Sequence, residues 1–224
     1  MNNKIEAVIF DVDGVLLDSM PSLNAMPSIV LQKLGIEPDP NLGQRLFAET
    51  FETASEYMVK QYNLKHSPEQ LYQALMDQQT DIYINEIKPK KHAKETLEYL
   101  KQSGIPMVIA TSNERYLCEG AMKKHGFYDY FSGIITSPEV GNTKEEPDIF
   151  YAALELLGKP KENTVLFEDG LHAIITANKI GLPVIGVFDQ ESSHLQAEIR
   201  KRTNQYITGL DEWLDSPVAK NLAF

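Results

Sequence analysis

A short apolar run that stops on two acids constrains this chain more than any other feature in it. Ala7-Val8-Ile9-Phe10 is β-branched and aromatic in character and reads as a buried strand of a parallel sheet. The run ends abruptly at Asp11, Asp13 follows, and Gly14 lets the backbone turn away. In an open α/β sheet, ligands bind beyond the carboxyl ends of the strands, so both carboxylates stand where such a fold does its chemistry. Residues two apart in an extended segment point the same way, so both can face one ligand. Two like charges this close repel unless a cation lies between them or one is protonated. Taken alone, the four residues also fit an acid-capped strand end with an ordinary Asp13-Gly14 turn; the later segments decide.

From Met20 to about Ile87 no strand pattern occurs. Leu23, Met26, Ile29, Val30, Leu31 and Leu34 recur at helical spacing, and Gly35 stops that helix. Phe51, Ala54, Tyr57, Met58 and Tyr62 mark another. Ser67-Pro68-Glu69-Gln70 starts a further helix, with Ser67 as cap, Pro68 at the first position and Gln70 completing a capping box. The block reads as an all-α insert of four or five helices. From Lys88 strands and helices alternate. Helices are expected over 93–101, 115–125, 147–157, 171–180 and 210–214, and strands over 106–110, 131–136, 165–167 and 184–187, with a last short one at Tyr206-Ile207. That alternation predicts βαβ units and a parallel sheet. The expected division is a core of residues 1–17 and 88–224 and a helical cap of residues 18–87.

Chemically useful groups recur at the strand ends. Asp11 and Asp13 follow the first strand, Thr111, Ser112 and Asn113 the second, and Glu168 and Asp169 a later one; Lys144 lies in the loop before the helix that Pro147 opens. Asp11, Asp169 and Glu168 would make a hard oxygen site suited to Mg²⁺ and a substrate phosphate. A carboxylate can attack phosphorus, splitting one displacement into two easier ones. Lys144 would neutralise charge on the transferring group, the Thr111 hydroxyl and nearby amides would hold phosphate oxygens, and Asp13 would move the proton. Each piece has a plainer reading. Thr111 or Ser112 serves equally as a helix N-cap before Glu114, Lys144 as a surface lysine, and Glu168-Asp169 as a strand-to-helix cap.

The net charge of −11 argues against a basic nucleic-acid-binding surface. One cysteine, Cys118, excludes a disulfide framework and suits a reducing cytosol. No leader pattern precedes the first strand, and no apolar run approaches the ~20 residues of a membrane span. The expectation is a cytoplasmic monomer acting on a small phosphorylated metabolite, with no nucleic-acid or membrane partner.

Taken together, Asp11-Val12-Asp13-Gly14-Val15 with Asp18-Ser19, Ala110-Thr111-Ser112-Asn113, Lys144-Glu145-Glu146-Pro147-Asp148-Ile149-Phe150, and Phe167-Glu168-Asp169 with Ile174, Ala177 and Gly181-Leu182 resemble the four motifs of the haloacid dehalogenase superfamily of phosphotransferases. The resemblance is to the subgroup with a helical cap after the first motif, which includes β-phosphoglucomutase and many small phosphatases. It implies a Rossmann-like parallel-sheet core with an inserted all-α helical-bundle cap. It implies Asp11 as nucleophile, Asp13 as general acid/base and Lys144 as charge stabiliser. It also implies Mg²⁺ held by Asp11, Asp169 and the backbone carbonyl of Asp13, with Glu168 acting mostly through water, and a cap that opens and closes about Gly14–Ser19 and Ile87–Lys91.

The sequence departs from the family pattern at Glu145 (usually Pro), Gly170 (usually Ser) and Ala173 (usually Gly), and His172 is unusual there. Asp13 disfavours dehalogenation, whose enzymes lack an acid at that place. Lys33, Lys60 and Lys65 carry no phosphonatase signature. Leu23 stands where β-phosphoglucomutases typically show His. A phosphomonoester phosphatase is therefore the leading expectation and a sugar-phosphate mutase the alternative; a non-enzymatic scaffold would lack the nucleophile, acid/base or lysine. Substrate choice is expected to lie in cap residues, with Asn24, Arg45, Glu49 and Lys60 as polar candidates.

Overall fold

The computed structural model describes residues 4–46, 49–220 and 222; the leader-free reading of Met1-Asn2-Asn3 falls outside them. The described chain forms two compact units, Met1–Asp18 with Lys88–Phe224, and Ser19–Ile87.

The first unit is built on six parallel strands in the order β3-β2-β1-β4-β5-β6. These are β1 (Ala7–Phe10), β2 (Met107–Thr111), β3 (Gly133–Thr136), β4 (Thr164–Glu168), β5 (Val184–Val187) and β6 (Gln205–Ile207). Every residue of β1, β2, β4 and β5 is buried. That explains why their sequences are continuous apolar runs rather than alternating ones. The chain lays down β1, steps outward through β2 and β3, then returns to place β4 on the other side of β1. Such a reversal opens a crevice at the strand carboxyl ends. Helices α5 (Ala93–Gln102), α6 (Arg115–Lys124), α7 (Ser137–Val140), α8 (Asp148–Leu157), α9 (Leu171–Ile180), α10 (Gln196–Arg202), α11 (Leu210–Leu214) and α12 (Pro217–Lys220) complete this unit. Ile149, Phe150 and Ala153 of α8 and Ala173, Ile174 and Ala177 of α9 pack with Ile9, Val108 and Leu166 in one core cluster. Each such buried Ile, Leu or Phe contributes roughly 1.5–3 kcal/mol.

The second unit is all-helical: α1 (Met20–Lys33), α2 (Leu42–Leu46), α3 (Phe51–Gln61), α4 (Pro68–Asp81) and a π-helical turn, Ile82–Glu86. Ser67 and Gln70 form the reciprocal capping box at the start of α4. Lys33 Nζ donates to Gln78 Oε1 at 2.5 Å, joining α1 to α4. These helices form a partly open cavity of about 160 Å³ lined by Leu23, Met26, Leu46, Phe51 and Leu75, with Glu49 and Gln79 at its wall. Of the polar candidates here, Arg45 donates to the Tyr57 hydroxyl, Glu49 accepts from Thr53 Oγ1 at 2.9 Å, and Lys60 is exposed. Among the described residues, no helix is long and apolar enough to cross a membrane.

Several local expectations differ from the structure. The third strand begins at Gly133, not Phe131, because Tyr128–Tyr130 forms a 3₁₀ turn and the Phe131 amide bonds back to the Tyr128 carbonyl. Neither Thr111 nor Ser112 caps α6. Thr111 ends β2, and Glu114, in extended conformation, holds the N-cap position. Helix α2 was expected only as one of the four or five helices of the insert, without bounds, and α7, α10 and α12 were not expected. They are short, and α10 carries five charged or amide side chains around one buried apolar residue, Ile199, which leaves no stripe to read.

Candidate active site

The site grows from the register of the two central strands. Phe10 pairs with Phe167, so the residues that follow, Asp11 and Glu168, emerge side by side at the carboxyl edge. The Asp11 amide donates to the Phe167 carbonyl at 3.0 Å and extends the ladder to that point. The rings of Phe10 and Phe167 stack at 4.7 Å between centroids, and Trp213 packs edge-on to Phe167 at 5.3 Å. A rigid aromatic layer therefore lies next to the acids.

Asp11, Glu168 and Asp169 are all buried and converge, with one carboxylate oxygen from each lying within 4.8 Å of the others. Lys144 reaches them from the loop before α8. Its Nζ is 2.7 Å from Asp11 Oδ1 and 2.8 Å from Glu168 Oε2, and its side chain is 2% exposed. The surface-lysine reading is thereby excluded. The other oxygen of Glu168 accepts from the amides of Asp169 (3.1 Å) and Gly170 (2.9 Å), which fixes the carboxylate that orients the lysine.

Two of the three acids, Asp11 and Glu168, share the Lys144 ammonium, and burial raises the pKa of both Asp11 and Asp169. Burial, then the neighbouring Glu168, push Asp11 up to about 7, against the pull of Lys144. Burial, then Glu168, Asp11 and Asp189, hold Asp169 well above the ordinary carboxylate range. Burial opposes the charge on Lys144, but the Asp11 and Glu168 carboxylates outweigh it and keep the ammonium protonated.

Asp13 stands outside this cluster. Its carboxylate accepts from the Asn113 side-chain amide, which ties the first strand end to the second. Thr111 is buried, and its Oγ1 accepts from the Asn113 amide at 3.2 Å; Ser112 is exposed. The structure thus pairs Lys144 with Asp11 and Glu168, places Asp169 within 4.8 Å of both acids and joins Asp13 to Asn113. Between Asp13 and the helical unit the chain makes a tight flap. Gly14 has φ +78°, and a Cβ there would lie 2.5 Å from Asp169 Oδ2. Only a residue without a side chain lets this backbone pass the acid. The flap is tied to the returning segment by bonds from Asp18 N to Lys88 O (2.9 Å) and from Lys90 N to Leu16 O (2.9 Å).

The donor set fits a hard divalent cation. Buried carboxylates this close disfavour one another's charge until positive charge enters, and oxygen-only ligands select Mg²⁺-type ions.

Two nearby groups escaped the sequence reading. Asp189 lies two residues beyond the end of β5; its Oδ2 lies 2.7 Å from Lys90 Nζ, which also donates to the Phe188 carbonyl at 3.1 Å. The strand-end rule that marked the other acids would have marked this one. The buried Thr176 hydroxyl, on α9, had no such signal. His172, which the sequence did single out, is an exposed residue of the first turn of α9; partial burial of its ring, then Lys144, hold its pKa below the ordinary value.

The sequence signature of the haloacid dehalogenase-like hydrolases matches residues 8–187. The chain belongs to that family. Among curated proteins, it is 25% identical over 178 residues to the phosphorylated carbohydrates phosphatase of Thermotoga maritima, covering 80% of this chain and 82% of that one. It is 27% identical over 188 residues to the phosphoglycolate phosphatase of Neisseria gonorrhoeae, covering 82% and 80%. Among solved structures, CbbY from Rhodobacter sphaeroides in complex with phosphate shares its fold with a TM-score of 0.79, at 21% identity over 97% of this chain and 99% of that one.

Proposed function

We propose that this phosphoric monoester hydrolase cleaves a small phosphorylated metabolite, a sugar phosphate or similar ester, with the help of Mg²⁺ and through a phosphate carried transiently on Asp11. The observation that carries the reading is the buried Lys144 ammonium, 2.7 Å from an Asp11 carboxylate that belongs to a three-acid cluster. A general surface acid needs none of this.

In the proposed reaction, a carboxylate oxygen of Asp11 attacks phosphorus and the bond from phosphorus to the substrate oxygen breaks. Asp13 donates a proton to that leaving oxygen. Asp13 then accepts a proton from water, whose oxygen attacks the same phosphorus, releasing inorganic phosphate and the Asp11 carboxylate. Lys144 offsets the charge gathering on the phosphoryl oxygens, and Glu168 orients Lys144. Thr111, Ser112 and Asn113 supply donors to the phosphate, Asn113 also steadying Asp13. Asp11, Asp169 and the Asp13 carbonyl, with Glu168 behind them, would hold the Mg²⁺; when bound, that ion keeps Asp11 ionised and polarises the phosphoryl group.

The two phosphatases named above act on phosphorylated carbohydrates and on phosphoglycolate, both small phosphate monoesters, which supports the substrate class. No feature favours the mutase alternative over this reading. Leu23 sits among apolar side chains in the insert. The test is release of p-nitrophenol from p-nitrophenyl phosphate with and without Mg²⁺, followed by a panel of small phosphate esters. Turnover that matches an Asp11→Asn control overturns the proposal.

A further inference from the structure

Lys144 is a buried residue in a loop that is otherwise exposed. Gly141, Asn142 and Thr143 before it, and Glu145 and Glu146 after it, all face solvent. Inside the loop the main chain is held by the Glu146 amide on the Thr143 carbonyl (3.1 Å) and the Glu145 amide on Thr143 Oγ1 (3.3 Å). These bonds shape the loop but do not attach it to the sheet. Glu145 is not a proline, so its φ is not fixed by a ring. The ammonium and its two carboxylates hold the tip of a long, flexible side chain; something else must hold the base.

Asn142 Nδ2 donates to Asp148 Oδ2 of α8 at 3.2 Å before the lysine; the attachment after it, at Glu145, comes from α9. Thr176 is 2% exposed, and its Oγ1 donates to the Glu145 carbonyl at 2.9 Å. The same oxygen lies 3.2 Å from the His172 carbonyl, the usual acceptor for a threonine one helical turn on. A hydroxyl has a single proton, and the shorter contact is the one that leaves the helix. Helix α9 starts just after Glu168-Asp169-Gly170. One rigid element therefore positions both the acids at its N-terminal end and, through Thr176, the loop that brings the lysine to them.

We propose that the Thr176 hydroxyl is a positioning group for Lys144, pinning the otherwise exposed loop at Glu145 so that the ammonium meets Asp11 in the geometry the reaction needs. This rests on the role given above to Lys144. Thr176 touches neither substrate nor phosphate in this account. Its removal should slow the step in which charge gathers on the phosphoryl group more than it weakens binding.

The test compares Thr176→Val, which keeps the shape and the β-branch but loses the proton, with Thr176→Ser, which keeps the proton. Assays use the magnesium-loaded enzyme and p-nitrophenyl phosphate. For Val the expected result is kcat down about ten-fold with KM within about two-fold, since misplacements of a fraction of an ångström carry penalties of that order. Hydrogen–deuterium exchange of the protein without substrate should show faster exchange at the Glu145 and Glu146 amides, with α8 and α9 unchanged. Ser should restore both. Thr176→Ala carries the same expectation should Val fail to fold. Wild-type kcat and wild-type loop exchange in Thr176→Val would overturn the proposal and assign the proton to the His172 carbonyl. Lys144→Met separates the two claims. If it is inactive while Thr176→Val is normal, the tether alone fails; if it is active, the role of Lys144 fails first.

Discussion

Gly14→Ala tests the site through its most crowded point. A Cβ at residue 14 would lie 2.5 Å from Asp169 Oδ2 and 2.6 Å from its Cγ. Ordinary contact begins near 3.4 Å, so the carboxyl must retreat by nearly 1 Å, roughly the misplacement that costs 10²-fold in rate when it reaches the reacting groups. The backbone adds its own cost, because φ is +78° and a non-glycine residue pays about 1–2 kcal/mol in that region. Gly104→Ala is the matched control. Its φ is +69°, and nothing lies within 4 Å of the added atom, so it pays the backbone cost without the clash. Both variants should lose about 2–6 °C of melting temperature from strain alone. Only Gly14→Ala should need about ten-fold or more Mg²⁺ for half-maximal turnover of p-nitrophenyl phosphate, the size of effect seen when ligand orientation is disturbed. The assay is a Mg²⁺ titration of initial rate, with circular dichroism to show that both variants fold. If Gly14→Ala matched Gly104→Ala in Mg²⁺ requirement and kcat, Asp169 could not be the carboxylate the cation needs.

Asp11→Asn should abolish turnover while removing one of three crowded acids, so its unfolding free energy in EDTA should equal or exceed the parent's; measurable turnover would end the nucleophile assignment. The metal-free protein should lose stability as pH rises. Asp11 binds its proton up to about 7 when folded and only to 3.8 when unfolded, so between those values the folded state holds more protons and stability falls with pH. Urea titrations in EDTA at pH 5 and pH 8 should differ by a few kcal/mol, and Asp11→Asn should reduce the difference to the part that Asp169 contributes; equal values for the parent would refute the burial argument. Lys144→Met should cost about 3 kcal/mol in denaturant unfolding, since it strips two buried carboxylates of their cation; a loss under 1 kcal/mol would show the acids are hydrated instead. Lys90→Met leaves the buried Asp189 without its partner and should cost about 2 kcal/mol by the same assay, with Lys90→Arg recovering most of it.

The sheet was legible because its strands are buried on both faces and end on chemistry. Ala7–Phe10, Val184–Val187 and the helix Leu171–Ile180 lie where the apolar runs and the flanking Asp11 and Gly181 put them. Asp11 and Asp169 were legible for a related reason: in a parallel sheet the position after a strand is also a position in space; Lys144, beyond α7 in the loop before α8, was marked only by the motif around it. The illegible parts are those where tertiary contact decides. Nothing in the order of residues says that Asn113 turns to Asp13, or that Lys144 is shared between Asp11 and Glu168. Thr176 reads as an ordinary helical residue until the loop from another part of the chain is laid against it. Helix α10 went unread because its residues point mostly to water, and periodicity is a record of burial.

The aromatic layer makes the protein its own spectroscopic witness. The chain has a single tryptophan, Trp213, fully buried against Phe167 and within 6.3 Å of the Tyr99 ring. The Ser19–Ile87 unit has none. Indole emission therefore reports the melting of the sheet and stays silent about the helices of the insert, whereas far-ultraviolet dichroism counts both. Superimposable curves from the two signals would mean that the units unfold as one; separated midpoints would give the insert a stability of its own.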